Sequence, residues 1–432
     1  MTRSIRVAAV QLRAHDHAGF AGALPGILEA AAEAANGAEL VVLPEGTLPA
    51  YVLGEARVDS AAVESALARF AQLAERTRTV FVVGAATGRG PRPRNAAVVI
   101  DRDGTIAGQA EKFFLWHFDR RWFEAGERIE PIATSIGRIG ALVCADGRIP
   151  TLSRLLVDRG AELLVMPTAW VTSGRDPAVL ENAQADLLAG VRAFENGVPF
   201  VAANKCGAEL GIVAYCGKSQ ILDARGDVVA IGPQREPAIV KGTIEIGEPQ
   251  PYRIAPAHPN PRGTQLAAPL RVAISPAPLP ADIDARLEIL DDAFALAPGD
   301  EERFSALDRA VAAVRADDAT MLDPAGLVGY RRSGYRLAVW TTQLEPALAQ
   351  RIARARAIEL RLYVVVFEGE RRRAYAVDPD GAIVCGTFDG FAIASFLLDP
   401  QRIAQTAVAP GTDVSDGLER VAALSHREEA VR

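Results

Sequence analysis

Residues 137–150 read Gly-Arg-Ile-Gly-Ala-Leu-Val-Cys-Ala-Asp-Gly-Arg-Ile-Pro, an apolar run that stops on Cys144 and is followed by Gly147 and Pro150. Ile139 to Val143 suit a buried strand, Gly147 suits a turn, and Pro150 suits the first turn of a helix, where its missing N–H is no loss. A helix is expected over Ile149–Arg159. A strand that turns straight into a helix is the building unit of an α/β layered domain. A thiol at that turn sits near unpaired N–H groups and the positive end of a helix dipole, both of which favour the thiolate. On these residues alone Cys144 is either a nucleophile or a small buried hydrophobe.

The same rhythm extends in both directions. Upstream, a strand over Ile5–Leu12 precedes an Ala-rich amphipathic helix over Phe20–Asn36, a strand in Glu39–Glu45 and a helix over Ala61–Arg78. Strands at Thr79–Ala86 and Asn95–Asp101 follow, the second closing on the turn Asp101-Arg-Asp-Gly104. Downstream, a strand in Glu162–Trp170, a helix over Pro177–Asn196, a strand in Val198–Lys205 and two strands across a glycine turn in Lys218–Ala230 complete an α/β pattern.

Two further segments carry chemistry. Glu-Leu-Val-Val-Leu-Pro-Glu ends a buried-looking strand on Glu45, where burial would raise a carboxyl toward general-base duty; a surface glutamate is the bland alternative. Lys112 opens the aromatic-rich stretch Phe113-Phe114-Leu115-Trp116. Such a loop can set a cation over a reacting centre, or simply carry a solvated lysine. Phe113, Phe114, Trp116 and Trp170 would suit an apolar acyl pocket or the core equally well.

Taken together, Pro44-Glu45, Glu111-Lys112 and Cys144-Ala-Asp-Gly-Arg-Ile-Pro150 resemble, in that order, the strand-end glutamate, lysine loop and cysteine elbow of the nitrilase superfamily, the carbon–nitrogen hydrolases. The likeness spans roughly residues 4 to 247 and is nearest to the amidase and N-carbamoyl amino acid amidohydrolase branches. It implies an α-β-β-α sandwich and catalysis without metal or organic cofactor. By this resemblance Glu45 takes the thiol proton, Cys144 attacks the carbonyl of a small amide or carbamoyl compound, and Lys112 with the N–H of Ala145 holds the oxyanion. A second carboxylate follows the lysine loop in many members; Asp119, one methylene shorter than glutamate, is the expected occupant and Glu124 the competitor. Thr151 stands where a glutamate often follows the elbow's proline, so Arg148 is either free to meet a substrate carboxylate or paired elsewhere. Phe113, Trp116, Ala145, Arg148 and Trp170 are the expected substrate contacts. A nitrile hydrolase is less favoured because Ala145-Asp146 stand where such enzymes carry tryptophan and glutamate. A binding protein that kept the fold and its triad is the non-enzymatic alternative.

Composition sets the limits. The chain has 432 residues, 49 % of them hydrophobic and 23 % charged, with a net charge of −7. That predicts a folded protein of two domains with no general attraction for nucleic acid or anionic membrane. No apolar window reaches the ~18 residues of a membrane helix, unlike the membrane-embedded acyltransferase members of the superfamily. The start reads as a strand, not a signal peptide. Four scattered cysteines and five histidines without ligand spacing predict neither a disulfide framework nor a metal site, and the cytoplasm is the expected compartment. No nucleotide-binding motif is present, which argues against the synthetase-linked members.

Pro249, Pro251, Pro256, Pro259 and Pro261, with Pro269 just beyond, mark a semi-rigid linker over 248–267, separating a catalytic domain, 1–247, from a second, 268–432. The second echoes the first. Leu-Arg-Val-Ala-Ile from 270 resembles Ile-Arg-Val-Ala-Ala from 5; Arg192-Ala-Phe-Glu195 resembles Arg356-Ala-Ile-Glu359; Asp223 and Gly226 match Asp378 and Gly381. The expectation is a shortened, degenerate nitrilase-like copy without catalytic residues, an unrelated α/β domain being the alternative. Between its first helix and Tyr335 there is no strand ending in Pro-Glu and little room for a lysine loop or elbow. A homo-oligomer, or an intrachain mimic of one through the helices Pro177–Asn196 and Leu344–Ile358, is the expected assembly.

Overall fold

The computed structural model describes residues 2–90, 92–172, 178–249, 266, 268–288, 294–369, 371–387 and 393–429. The chain forms two compact units, Met1–Pro251 with Ala409–Thr412, and Tyr252–Val408 with Asp413–Arg432. Of the expected linker, residues 250–265 and 267 lie outside the described set.

The first unit begins β1 (Arg3–Arg13), α1 (Phe20–Ala35), β2 (Leu40–Val42), α2 (Ser60–Thr77), β3 (Val80–Thr87), β4 (Arg94–Ile100) and β5 (Ile106–Glu111). It continues α3 (Asp119–Trp122), β6 (Ile132–Thr134), β7 (Gly137–Ala141), α4 (Pro150–Asp158), β8 (Leu163–Pro167) and α5 (Ala189–Asn196). It closes with β9 (Phe200–Ala203), β10 (Lys205–Glu209), β11 (Val213–Cys216), β12 (Gln220–Leu222), β13 (Val228–Ile231) and β14 (Ala238–Ile246). One sheet runs β11-β10-β1-β2-β3-β4-β5, with β14 also on β1; the other runs β13-β12-β9-β8-β7-β6. β1 reaches both neighbours because its length is divided: Arg3 to Gln11 pair antiparallel with β14, while Leu12 and Arg13 pair with β10.

Helices α1 and α2 cover the first sheet, α4 and α5 the second, and β1, β2 and β3 pack on β8, β9 and β12 between them. This is the expected α-β-β-α sandwich. It explains why β2, β8 and β9 are apolar at every position: strands covered on both faces have no solvent side. The α2 start is set by Asp59, whose carboxylate accepts from the N–H groups of Ala61 and Ala62, and its end by Arg78 in the left-handed region.

The helix expected over Pro177–Asn196 is shorter. Pro177 lies outside the described residues, and helical backbone appears only near Gln184, because the Asn182 side chain accepts from the N–H groups of Gln184 and Ala185 and caps the helix there. Residues 184–188 are wound as a π-helix before α5.

The second unit contains β15 (Leu270–Ile274), α6 (Ile283–Glu288), β16 (Phe294–Leu296), α7 (Glu301–Val311), β17 (Ala313–Ala316), α8 (Asp318–Leu322) and α9 (Pro324–Arg332). Then come β18 (Leu337–Thr342), α10 (Pro346–Leu360), β19 (Tyr363–Glu368), β20 (Arg373–Val377), β21 (Ile383–Gly386) and β22 (Ala394–Leu398). Its sheets run β16-β15-β22 and β17-β18-β19-β20-β21, and Val272, Leu296, Leu337, Val365 and Phe396 join them in one core. β17 lies in the stretch read from sequence as having no strand that ends in Pro-Glu, and it runs instead into Asp317-Asp318.

Candidate active site

The strand β7 continues through Leu142 and Val143 to Cys144, and the backbone then tightens into a 3-10 turn over Cys144–Arg148 before α4 starts at Pro150. Cys144 has φ 47°, a left-handed conformation that costs an L-residue about 1–2 kcal/mol. Asp146 holds the turn in place. Its carboxylate accepts from the N–H of Val143 at 3.0 Å, Phe113 at 3.1 Å and Phe114 at 2.7 Å, tying the lysine loop to the elbow. Burial pushes its carboxyl up to about 6 even against those donors. An added Cβ on Gly147 would fall 2.8 Å from Gln184 Oε1 and 2.9 Å from Met166 Sδ, so a larger residue there would displace those two side chains.

Glu45 enters from the end of β2. Gly84 on β3 makes room for it: a Cβ there would lie 2.2 Å from Pro44 O and 2.6 Å from Glu45 Cα. Lys112 follows β5, its N–H on Asn95 O and its carbonyl taken by Gly126. The Lys112 ammonium bridges two carboxylates, 2.7 Å from Glu45 Oε1 and 2.6 Å from Asp119 Oδ2, and all three side chains are 0 % exposed. Asn95 Nδ2 donates to the same Glu45 oxygen at 2.7 Å. Glu45 Oε2 is buried without a partner.

The electrostatics follow from burial. Desolvation raises the Glu45 carboxyl above its usual value, with Lys112 pulling the other way. Desolvation would lower Lys112, but Asp119 and Glu45 outweigh it and keep the ammonium well above the ordinary lysine value. Burial first, and the Glu45 charge second, push the Cys144 thiol up to about 12 against Lys112. This corrects the expectation of a thiolate favoured by a helix dipole. α4 begins six residues later, and the low-dielectric surroundings win; the resting sulfur carries its proton.

The structure brings Glu45, Lys112, Asp119 and Cys144 together. Glu124 is elsewhere, in contact with Arg94 at 3.3 Å and Arg92 at 3.8 Å on a partly exposed surface. Arg148 stacks on Trp116, its guanidinium carbon 4.5 Å from the ring centre, and no carboxylate pairs with it among the described residues. Burial lowers it to about 10. Phe113, Phe114 and Ala145 are buried beside the elbow and the lysine loop. Trp170 is 1 % exposed, fixed through its backbone to Asn204 and Cys216, and its indole N–H is buried without a partner. Cys206 and Cys216 face each other across β10 and β11 as free thiols. Among the described residues no cluster of His, Cys, Asp or Glu could hold a metal ion, and no helix is long and apolar enough to cross a membrane.

Sequence reasoning overlooked Asn95, Tyr51 and the clamping role of Asp146. Asn95 carried a faint signal, standing after Arg94 at the head of an otherwise apolar strand.

Comparison with known proteins gives a family model described as carbon-nitrogen hydrolase that matches residues 6–254. The chain is 29 % identical over 159 residues to a probable nitrilase of Schizosaccharomyces pombe, covering 37 % of this chain and 56 % of that protein. It therefore spans about half of that relative's length. It is 31 % identical over 205 residues to an (R)-stereoselective amidase of a Pseudomonas species, covering 47 % of this chain and 72 % of the relative. A solved amidase from Nesterenkonia sp. AN1, carrying the acetamide moiety of fluoroacetamide on its active-site cysteine, superposes with a TM-score of 0.50 at 26 % identity, over 55 % of this chain and 89 % of that one.

Proposed function

We propose, from the premise that this chain belongs to the carbon–nitrogen hydrolase family, that Cys144 hydrolyses an amide or N-carbamoyl C–N bond in a small molecule. The observation that carries this reading is the buried ammonium of Lys112 held between Glu45 and Asp119 in one charge cluster with the strained Cys144. Because the thiol is held protonated, the nucleophile must be made during attack. Glu45, whose second oxygen has no partner, takes that proton as the sulfur adds to the carbonyl carbon. Lys112 and the N–H of Ala145 receive the negative charge on the oxygen. Collapse of the tetrahedral intermediate breaks the C–N bond, and ammonia or an amine leaves with the proton from Glu45. Water then gives a proton to Glu45 and its hydroxyl to the thioester, and the acid departs as the sulfur regains its proton. Asp119 keeps Lys112 charged and in place. Phe113, Trp116 and Trp170 wall the acyl pocket, and Arg148, a half-buried cation with no carboxylate partner among the described residues, favours substrates with an anionic end. Ammonia release from a panel of small amides and carbamoyl compounds tests this: turnover should vanish in Cys144→Ala with folding intact. An inert parent on the whole panel, nitriles included, would favour a binding protein.

We further propose that residues 268–432 are a shortened, inactive copy of the first unit. β15 pairs parallel with β16 and antiparallel with β22, as β1 does with β2 and β14. β17 to β21 repeat the parallel, parallel, antiparallel, antiparallel pairings of β7, β8, β9, β12 and β13. Helices α5 and α10 each carry a buried Arg-Glu pair, Arg192 with Glu195 and Arg356 with Glu359. Gly226 and Gly381 turn at φ 74° and 80°, each against residues two before and two after that arginine. On this reading two of the three catalytic positions have counterparts, where the sequence suggested none. Matching registers set Val272 and Phe294 on Val7 and Leu40, which puts Pro298-Gly299 where Pro44-Glu45 stands. Counting back from the helix-opening prolines, Pro150 and Pro324, puts Asp318 in the place of Cys144. Among the described residues no strands correspond to β3 to β6, and the lysine loop goes with them. Turnover that survives Asp318→Ala is the expected signature.

A further inference from the structure

We infer that Tyr51 is a positioning residue for the reaction, holding the short carboxylate of Asp119 where it can fix Lys112; this rests on the function proposed above. Tyr51 lies six residues after Glu45 and is 1 % exposed. The chain doubles back at Gly46, φ 59°, where an added Cβ would fall 2.4 Å from Tyr51 N. The turn brings the phenol to the far side of the charge cluster. Its hydroxyl donates to Asp119 Oδ1 at 2.9 Å, while Asp119 Oδ2 receives the Trp116 N–H at 2.9 Å and the Lys112 ammonium at 2.6 Å. The ring itself lies beside that ammonium, 5.4 Å from centre to nitrogen. An aspartate is one methylene shorter than the glutamate expected at this place, and a carboxylate bonded on one oxygen only could rotate away. Tyr51 closes the second oxygen.

The loop carrying Tyr51 is anchored from outside the cluster. The N–H groups of Tyr51 and Val52 both donate to Glu209 Oε1, at 2.9 and 3.1 Å. The other oxygen of Glu209 accepts from Lys205 Nζ at 3.2 Å and from the Tyr215 hydroxyl, and Glu209 is itself 0 % exposed. A continuous chain of charge-assisted bonds therefore runs from Glu209 through the loop to Asp119, Lys112 and Glu45. Burial, with the charges of Asp119, Glu45 and Cys144, holds the Tyr51 phenol well above its ordinary value. It stays a donor and does not exchange protons with the substrate.

The pH profile of Cys144 alkylation by iodoacetamide, followed by peptide mass so that Cys206, Cys216 and Cys385 are resolved, tests the role without a known substrate. The ionisable groups acting on that thiol are Glu45, Lys112, Tyr51, Tyr215 and Arg148. Lys112 is the main charge that favours the Cys144 thiolate, so letting it drift should hinder ionisation. In Tyr51→Phe, alkylation is expected to slow by about tenfold, with its midpoint displaced upward, the scale of one lost bond to an ionised group. In an Asp119→Asn background, Tyr51→Phe should add nothing further. A merely structural tyrosine gives the opposite sign, because a loosened pocket admits water to Cys144 and speeds labelling. Labelling at the parental rate or faster overturns the inference. Ammonia release that persists in Cys144→Ala overturns instead the reading of the site as a whole.

Discussion

The six-stranded sheet of the first unit and the five-stranded sheet of the second share a run of pairings, two parallel and then two antiparallel, yet their first strands end in different chemistry. β7 leads into Cys144, strained and buried among Glu45, Lys112 and Asp119. β17 leads into Asp318, whose carboxylate accepts from the Trp340 indole N–H at 3.0 Å and the Gln343 backbone N–H at 3.2 Å. After β7 the chain keeps a costly backbone angle at Cys144, beside a Glu45 oxygen without a partner; after β17 the Asp318 carboxylate is satisfied locally. The difference teaches that the sheet supplies a ledge for a side chain, while the reaction needs the partners brought to that ledge from β2 and the loop after β5.

The largest expected effect breaks the first side of this comparison. Cys144→Ala should reduce amide turnover by at least about a thousandfold, as loss of a covalent nucleophile does, and steady-state ammonia release measures it. Next, Glu45→Gln should cost about 10²- to 10⁴-fold, the range for a general base. The Glu45 carboxyl is raised by burial and must be ionised to act, so the rate should climb with pH only above the usual glutamate range; a parental acid limb at or below the range of free glutamate would contradict this assignment. If the two units share a framework, Arg192→Met and Arg356→Met should each cost about 3–5 kcal/mol in denaturant unfolding, because each removes one member of a buried ion pair. Unequal costs, with one near zero, would weaken the equivalence of α5 and α10. The smallest effect belongs to Asp318→Ala, which should cost stability by about 1–2 kcal/mol through two lost hydrogen bonds and leave turnover within twofold of the parent.

Much of the site was legible because its parts are local. A strand that ends in Pro-Glu, a lysine beside aromatics and a cysteine before Gly and Pro each announce themselves within about ten residues, and their order identifies the family. Asn95 and Tyr51 were not legible, since their roles depend on side chains 50 and 68 residues away that only the folded sheet brings close. The helix start at Gln184 was misjudged because Asn182 competes with helical winding through its own side chain. In the second unit, β16 is only three residues long and runs into Pro298-Gly299, a pattern that reads as a turn until its register with β15 is known. The thiol's charge state was misread for a different reason: proximity to a helix start is visible in sequence, whereas complete burial beside a carboxylate is not.

Acid quenching of the protein during turnover of an amide pool, followed by mass spectrometry of the peptide containing residue 144, tests the central claim most directly. The account predicts an acyl adduct on Cys144 that matches the acid released, and none on Cys206, Cys216 or Cys385. Turnover with the Cys144 peptide unmodified, or sustained in Cys144→Ala, would contradict it.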